Sequence, residues 1–366
     1  MTASNIIEPN VIEHLNTHFS QDELNALLLK LFEKKANKVN AESLWHQYAN
    51  NRFTRPSTVN QKLLNTFDFL AYSLLPETFE SIELSPVTTF GLNRWLTPIS
   101  QKNILATIRK SEVVSDTASA LVPEIIRKIR AEKKQDSKYI HRLCSSHRCL
   151  RLQNFAKNPE FTAHFRVFSL ASTWHKSNKT GIIEHVFEHL DFYLSLLKKS
   201  SAIVSSIRVE ISHIPLIESL LDRHKIAKND IRDKTQDSTF SYIQAYQLDY
   251  PESLKACDEL LFYFEKDTLI HPFALELASL WTKIIEPLKQ KFPNVKFVID
   301  LKRIAGISYY NGPCFKIIAK NAKGSFYPLV DAGQVNWIEK MMQSKNFLLF
   351  TSCIGSELFC RFFTPK

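Results

Sequence analysis

Residues 295–315 constrain this chain more tightly than any other stretch. Val295 to Leu301 reads as a strand, a turn follows, and a second strand carries the paired tyrosines Tyr309 and Tyr310 and ends near Gly312. Adjacent strand positions point to opposite faces of a sheet. At most one of the two tyrosines therefore lines a pocket, and the other packs beneath it.

The rest of the sequence can supply a body for such a sheet. With 366 residues, 44% of them hydrophobic and only 7 glycines, the chain can bury a large core, as one big domain or two smaller ones. No apolar run is long enough to span a bilayer. The start, Met1-Thr-Ala-Ser-Asn-Ile-Ile-Glu8, lacks the basic and apolar segments of a secretory signal. The six cysteines, at 144, 149, 257, 314, 353 and 360, include no Cys-x-x-Cys pair. That pattern gives no zinc site and fits reduced, mostly buried thiols in a cytoplasmic protein. A net charge of +10 permits contact with nucleic acid, but the lysines and arginines are spread rather than massed, as on a solvated surface.

Residues 1–62 read as a helical extension and connector. Ser20-Gln-Asp-Glu23 fits a capping box, in which serine and glutamate satisfy each other's free amide groups. Leu24, Leu27, Leu28 and Leu31 then share one helical face. From residue 63 onward, strands alternate with amphipathic helices. Ala163 to Leu170 and Phe347 to Thr351 suit strands, whereas Ile183, Val186, Phe187, Leu190, Leu194 and Leu197 form a helical stripe. Leu277, Trp281, Ile284, Ile285 and Leu288 form another. Strands cluster toward the C-terminal end without a strand–helix–strand rhythm, which predicts an α+β fold with an antiparallel sheet. Phosphate-cradling glycine loops are missing, so a nucleotide has to be held by side chains on the sheet.

Several segments resemble the core of class II aminoacyl-tRNA synthetases, in order over residues 63–366, with an inserted region at about 205–290. Gly306-x-x-Tyr309-Tyr310-x-Gly312 resembles the histidine-pocket signature of histidyl-tRNA synthetases and of their non-charging relative, the regulatory subunit of ATP phosphoribosyltransferase. Ile82 to Pro86 resembles the strand-plus-proline motif of the class's dimer interface. Glu112 to Ala118 resembles the segment whose carboxylate, by position Asp116, holds the substrate ammonium group. Arg148-Cys-Leu-Arg151-Leu-Gln153, a ten-residue loop and His164-Phe-Arg-Val-Phe168 resemble the second class signature. Asp331-Ala-Gly333, followed by Cys353-Ile-Gly355-Ser-Glu357-Leu358, resembles the third region.

The chemistry of the second signature can be stated from the residues themselves. Arg151 is a bidentate donor for phosphate, Phe168 a platform for a base, and the Gln153 carbonyl an acceptor for an adenine amino group. By resemblance, His164 meets a terminal phosphate and Glu357 completes the nucleotide set. Asp116, Arg303, Tyr309 and Tyr310 make up the amino-acid or metabolite set. ATP or AMP with Mg2+ is the implied cofactor, and no resident metal is implied.

Departures from the pattern cut against catalysis. Leu358, Ala305 and Gln334 stand where the family carries arginines, and adenylate formation needs cations aimed at the developing phosphate charge. Arg303 lies two residues before Ala305 and, on a strand, compensates in part. The chain ends eight residues after Leu358 with no anticodon-binding domain, so tRNA is not an expected partner. The leading reading is a synthetase-like paralogue that binds an amino acid or related metabolite in a regulatory role, as a homodimer and with a partner enzyme. The alternative is an adenylate-forming, ATP-dependent ligase using Arg151 with a non-tRNA acceptor; a basic RNA-binding module is the third. Ser145-Ser146-His147-Arg148 reads as structural rather than as a hydrolase site. His185 and His189, flanked by Glu184 and Glu188, are expected on the wet face of their helix.

Overall fold

The computed structural model describes residues 9–364 apart from 133–139, 153–162, 201, 203, 233, 235, 236 and 238. Its strands are β1 (Glu80–Ser81), β2 (Val87–Thr89), β3 (Ser111–Val113), β4 (Ile140–Leu150), β5 (His164–His175), β6 (Val204–His213), β7 (Ser253–Leu254), β8 (Val295–Asp300), β9 (Pro313–Asn321), β10 (Phe326–Val335) and β11 (Phe347–Ile354). Nine of them form one sheet in the order β1-β4-β5-β11-β10-β9-β6-β8-β7, and β2 pairs with β3 apart from it. The run from β4 to β6 is antiparallel throughout, and parallel pairing occurs at β1–β4 and β6–β8. The α+β architecture read from the sequence is the one observed, with those two parallel pairs added.

Alternation along the strands assigns the two faces. Phe168, Leu170 and Trp174 of β5, Phe350 and Ile354 of β11, and Phe315 and Ile317 of β9 enter the main core. Helices Gln61–Leu74, Gly181–Lys199 and Ser356–Phe363 cover it, together with the helical stretch between β6 and β8. Ala171, Leu349, Val335 and Cys314 point the other way, toward helices Thr117–Ala131 and Trp337–Met342. These are called the back and front faces below.

Two sequence expectations change here. The Gly181–Lys199 helix is buried on nearly every side, so His185 and His189 are both fully buried rather than wet. Burial holds His189 neutral, with its pKa depressed to about 3. Its two ring nitrogens meet Ser172 Oγ at 2.9 Å and Ser352 Oγ at 2.7 Å, and Tyr193 joins Ser352 at 3.0 Å. Ile82–Pro86 is irregular backbone between β1 and β2, not a strand. In the N-terminal extension neither Gln21–Ala36, which carries the shared leucine face, nor Ala41–Asn50 has a buried residue, and the expected Ser20–Glu23 capping box is present.

Candidate functional site

The tyrosine pair lies in a turn, not on a strand. After β8 the chain coils through Gly306 (φ +100°) and Ser308 (φ +69°), and the backbone amides of Tyr309 and Tyr310 both donate to the Gly306 carbonyl, at 2.9 and 2.8 Å. The turn sends the two phenols to different carboxylates. Tyr309 donates to Asp116 Oδ2 at 3.0 Å, and Tyr310 donates to Asp331 Oδ1 at 3.1 Å. Their rings meet edge to face, with centroids 4.8 Å apart. A side chain at Gly333 would place its Cβ 2.5 Å from the Tyr310 ring, so that glycine is what lets the turn lie flat on β10.

Each carboxylate also takes an arginine. Arg151 Nη2 stands 3.3 Å from Asp116 Oδ2, with its Nε donating to the Ser115 carbonyl at 2.7 Å. Asp116 Oδ1 meanwhile caps helix Thr117–Ala131 by accepting from the Ser119 amide at 2.9 Å. Arg303 Nη2 donates to Asp331 Oδ1 at 2.6 Å, its Nε donates to the Ala305 carbonyl, and its guanidinium lies 5.5 Å from the Tyr310 ring centre. Burial opposes the Arg303 charge most, but Asp331, together with Cys314 and Tyr310, offsets it and the net pKa shift is upward. The front face therefore holds two neighbouring Tyr–Asp–Arg triads: Tyr309–Asp116–Arg151 and Tyr310–Asp331–Arg303. Partly exposed Cys353, the cross-strand partner of Asp331, lies within electrostatic reach of both carboxylates. Asp331 is the most open member of the set, with 42% of its side chain exposed, while the Arg303 side chain is fully buried.

The metabolite residues named from sequence, Asp116, Arg303, Tyr309 and Tyr310, are thus brought together, and Asp116 already has three partners. The nucleotide set is not brought together. In the β4–β5 hairpin the Arg151 amide donates to the Ala163 carbonyl, and Leu150 pairs with His164. Cross-strand partners share a face, so Phe165 and Val167 lie with Arg151, whereas His164, Arg166 and Phe168 face the back. Phe168 is fully buried between Tyr72 and Phe192, at ring distances of 5.1 and 5.8 Å, and is no platform for a base. The aromatic ring beside Arg151 is Phe165, 5.4 Å from its guanidinium carbon. Gln153 lies outside the described residues.

Glu357 and His164 belong to a junction on the back face. The Glu357 carboxylate, 3% exposed, accepts from the Arg166 amide at 3.0 Å, from Arg148 at 2.8 Å and from Arg361 at 3.4 Å. It also accepts from the Ser57 hydroxyl. His164 contacts Arg148 at 2.9 Å and the Arg55 carbonyl at 2.6 Å. Arg52 donates to the Leu152 carbonyl at 2.9 Å. The connector at 51–60 is thereby fastened to β5, to the chain just past β4 and to helix Ser356–Phe363. Ser146 accepts from Arg166 at 2.9 Å and donates to Asp68 at 2.7 Å, which gives the Ser145–Arg148 run the structural role expected of it.

Sequence reasoning missed Phe165, Asp331 and Cys353 as site residues. Strand alternation counted from Arg151 across the hairpin was the signal for Phe165. For Asp331 it was a carboxylate just ahead of the small pair Ala332-Gly333, where a tyrosine can approach the backbone.

No family model and no curated protein matches the sequence. Solved structures do match by fold. An ATP phosphoribosyltransferase regulatory subunit/histidyl-tRNA synthetase from Bacillus halodurans superposes with a TM-score of 0.61 at 12% identity, covering 84% of this chain and 81% of that one. A histidine–tRNA ligase subunit from Alicyclobacillus acidocaldarius gives 0.60 at 14% identity, covering 84% and 96%. Histidyl-tRNA synthetase from Nostoc sp. PCC 7120 gives 0.58 at 13% identity, covering 84% and 74%. The chain has the class II synthetase-like fold common to these proteins.

Proposed function

We propose that this chain is a synthetase-like regulatory paralogue that binds a zwitterionic amino acid or a close metabolite on its front face and does not charge tRNA. The observation that carries this reading is the pair of Tyr–Asp–Arg triads. Two aspartates and two arginines balance in charge, and each carboxylate is fixed by a phenol. A zwitterion inserted between them gives its ammonium to a carboxylate and its carboxylate to a guanidinium without leaving a charge unpaired. A ligand of net charge forfeits that balance.

The nucleotide end supports the regulatory reading. A triphosphate finds a poor fit here. Arg151 and Phe165 offer one phosphate contact and one ring, whereas His164, Glu357 and Phe168 are committed to the back face. Two named relatives are a regulatory subunit and a ligase subunit, and a partner enzyme for this chain is part of the proposal. So is a homodimer, for which the exposed Val87, Phe90, Trp95 and Leu105 supply an apolar face. All six cysteines are free, in keeping with a cytoplasmic location, and no helix among the described residues is long and apolar enough to cross a membrane.

The second reading, an adenylate-forming ligase using ATP and Mg2+, is favoured by one feature: Arg151 lies on the front face over the ring of Phe165. ATP–pyrophosphate exchange measured with a panel of amino acids separates the two. The regulatory reading expects calorimetric binding of at least one amino acid and no exchange with any. Exchange above background supports the ligase and removes the leading reading.

A further inference from the structure

The front-face row that carries Asp331 continues across the sheet in both directions. On one side Asp331 stands opposite Cys353, Cys353 opposite Ser169, and Ser169 opposite Ser145. Both serines are fully buried where helix Thr117–Ala131 packs on β4 and β5, so a ligand has no room there. On the other side Asp331 stands opposite Lys316 of β9, and Lys316 opposite Glu210 of β6. Their strand neighbours Phe315, Ile317, Val209 and Ile211 enter the main core, so alternation sends Lys316 and Glu210 to the front with Asp331. All three keep some access to solvent. A ligand whose ammonium sits at Asp331 can extend its side chain over Lys316 and Glu210, and not the other way.

These two residues are directly opposed and of opposite charge, yet they are not paired with each other. Glu210 Oε1 accepts instead from Arg208 Nη2 at 2.6 Å, two residues along its own strand, which leaves Oε2 as an acceptor. The Lys316 ammonium has no hydrogen-bond or ion-pair partner among the described residues. Charge then selects what the pair can take. Burial, and next the Glu210 charge, push the carboxyl of Asp300 on neighbouring β8 up to about 6, so negative charge is already crowded at this end of the row. A ligand carboxylate would add to it, and a cationic side chain would meet Lys316 and Arg208. A carboxamide meets neither objection, because its carbonyl accepts from Lys316 and its amino group donates to Glu210. From Asp331 to Glu210 is two strand spacings, about 10 Å. The side chain of asparagine or glutamine spans that with a hydrogen bond at each end.

We infer that Lys316 and Glu210 form a side-chain subsite for a carboxamide, and that the front-face ligand is asparagine, glutamine or a close amide-bearing relative. This inference rests on the zwitterion pocket proposed above and names its side-chain specificity. The head group keeps its two charges between the triads and an amide adds none, so the ligand stays neutral as a whole. An apolar side chain of similar length desolvates the lysine and the glutamate without giving either a partner, and the subsite discriminates against it.

Calorimetry on the full-length chain with glutamine, asparagine, glutamate, aspartate and norleucine tests the inference, beside a thermal melt of each variant. At least one amide is expected to bind about tenfold more tightly, or better, than its own acid and than norleucine. In Lys316→Met its preference over norleucine should fall below threefold. In Glu210→Gln its preference over the acid should fall below threefold, since the carboxylate that repels the acid is gone. An acid that binds as well as its amide overturns the subsite, as does a preference that both variants leave within twofold of wild type. Should a variant fail to fold, the amide-to-acid ratio of the wild type still decides. If another amino acid binds and neither amide does, the zwitterion pocket stands and the subsite is overturned. If no amino acid binds, the pocket itself falls.

Discussion

Replacing Glu357 by alanine distinguishes a structural junction from a ligand site. In a nucleotide site its loss would weaken binding and leave the fold nearly untouched. In the structure the carboxylate is 3% exposed and joins four chain segments: the connector through Ser57, β4 through Arg148, β5 through the Arg166 amide, and its own helix through Arg361. Truncation leaves the Arg166 amide without its acceptor, which costs about 1–3 kcal/mol. It also removes one partner from each of two guanidinium groups. Arg148 is a third exposed and recovers most of its loss from water, whereas Arg361, 18% exposed, recovers less. Breaking a buried ion pair from one side costs about 3–5 kcal/mol in all, and that range is the expectation here. Urea unfolding of wild type and Glu357→Ala provides the measurement, with Glu357→Gln expected to fall between them because it keeps an acceptor for the Arg166 amide. A variant within 0.5 kcal/mol of wild type (about the scatter of a surface substitution) that has lost AMP binding would refute the argument and restore Glu357 to a ligand site.

The buried His189 makes a second expectation. Its pKa is about 3 in the fold against 6.5 ordinarily, so between those values the unfolded chain binds more protons and stability is lost as the pH is lowered. From pH 7.5 to 5.0 this group removes about 2 kcal/mol. Urea unfolding at the two pH values should show a drop smaller by that amount in His189→Gln; equal drops contradict the burial argument. For the hairpin register, Phe168→Ala should cost about 3–5 kcal/mol of stability without touching AMP affinity. Phe165→Ala should do the reverse, as read by calorimetry beside a thermal melt, and exchanged phenotypes would mean that the register is wrong.

Much of the fold was legible because alternation and helical periodicity report burial directly. The apolar positions of β5, β11 and the Gly181–Lys199 helix were read from the sequence and lie in the two cores. The site was legible only in part, for reasons that are geometric. Arg151 and Phe168 share a signature in the sequence, yet the hairpin register decides their faces, and one residue of register sends a side chain to the opposite face. The tyrosine pair was assigned to a strand because Gly306 and Ser308 give no local sign that the backbone will turn left-handed there. His185 and His189, flanked by glutamates, have the composition of a wet face. What buries them is the sheet, through Trp174, Ser172, Ser352 and Phe350, and the loop residue Phe79, and neither can be read from the helix alone. Asp331 became a site residue through Arg303, 28 residues away in sequence, and no local pattern reports that pairing.

The central claim is that the two balanced triads select a zwitterion. Calorimetry with an amino acid that binds, beside its methyl ester and its N-acetyl derivative, tests this most directly. Each derivative removes one charge and one charge-assisted hydrogen bond, about 1.5–3 kcal/mol, and should therefore bind at least tenfold more weakly than the parent. Asp331→Asn should abolish the penalty for N-acetylation, because Asp331 is the more exposed of the two carboxylates and the one open to an ammonium, whereas Asp116 already has three partners. If all three compounds bind alike, or if the acetylated form binds best, the triads do not read a zwitterion and the proposed pocket is wrong.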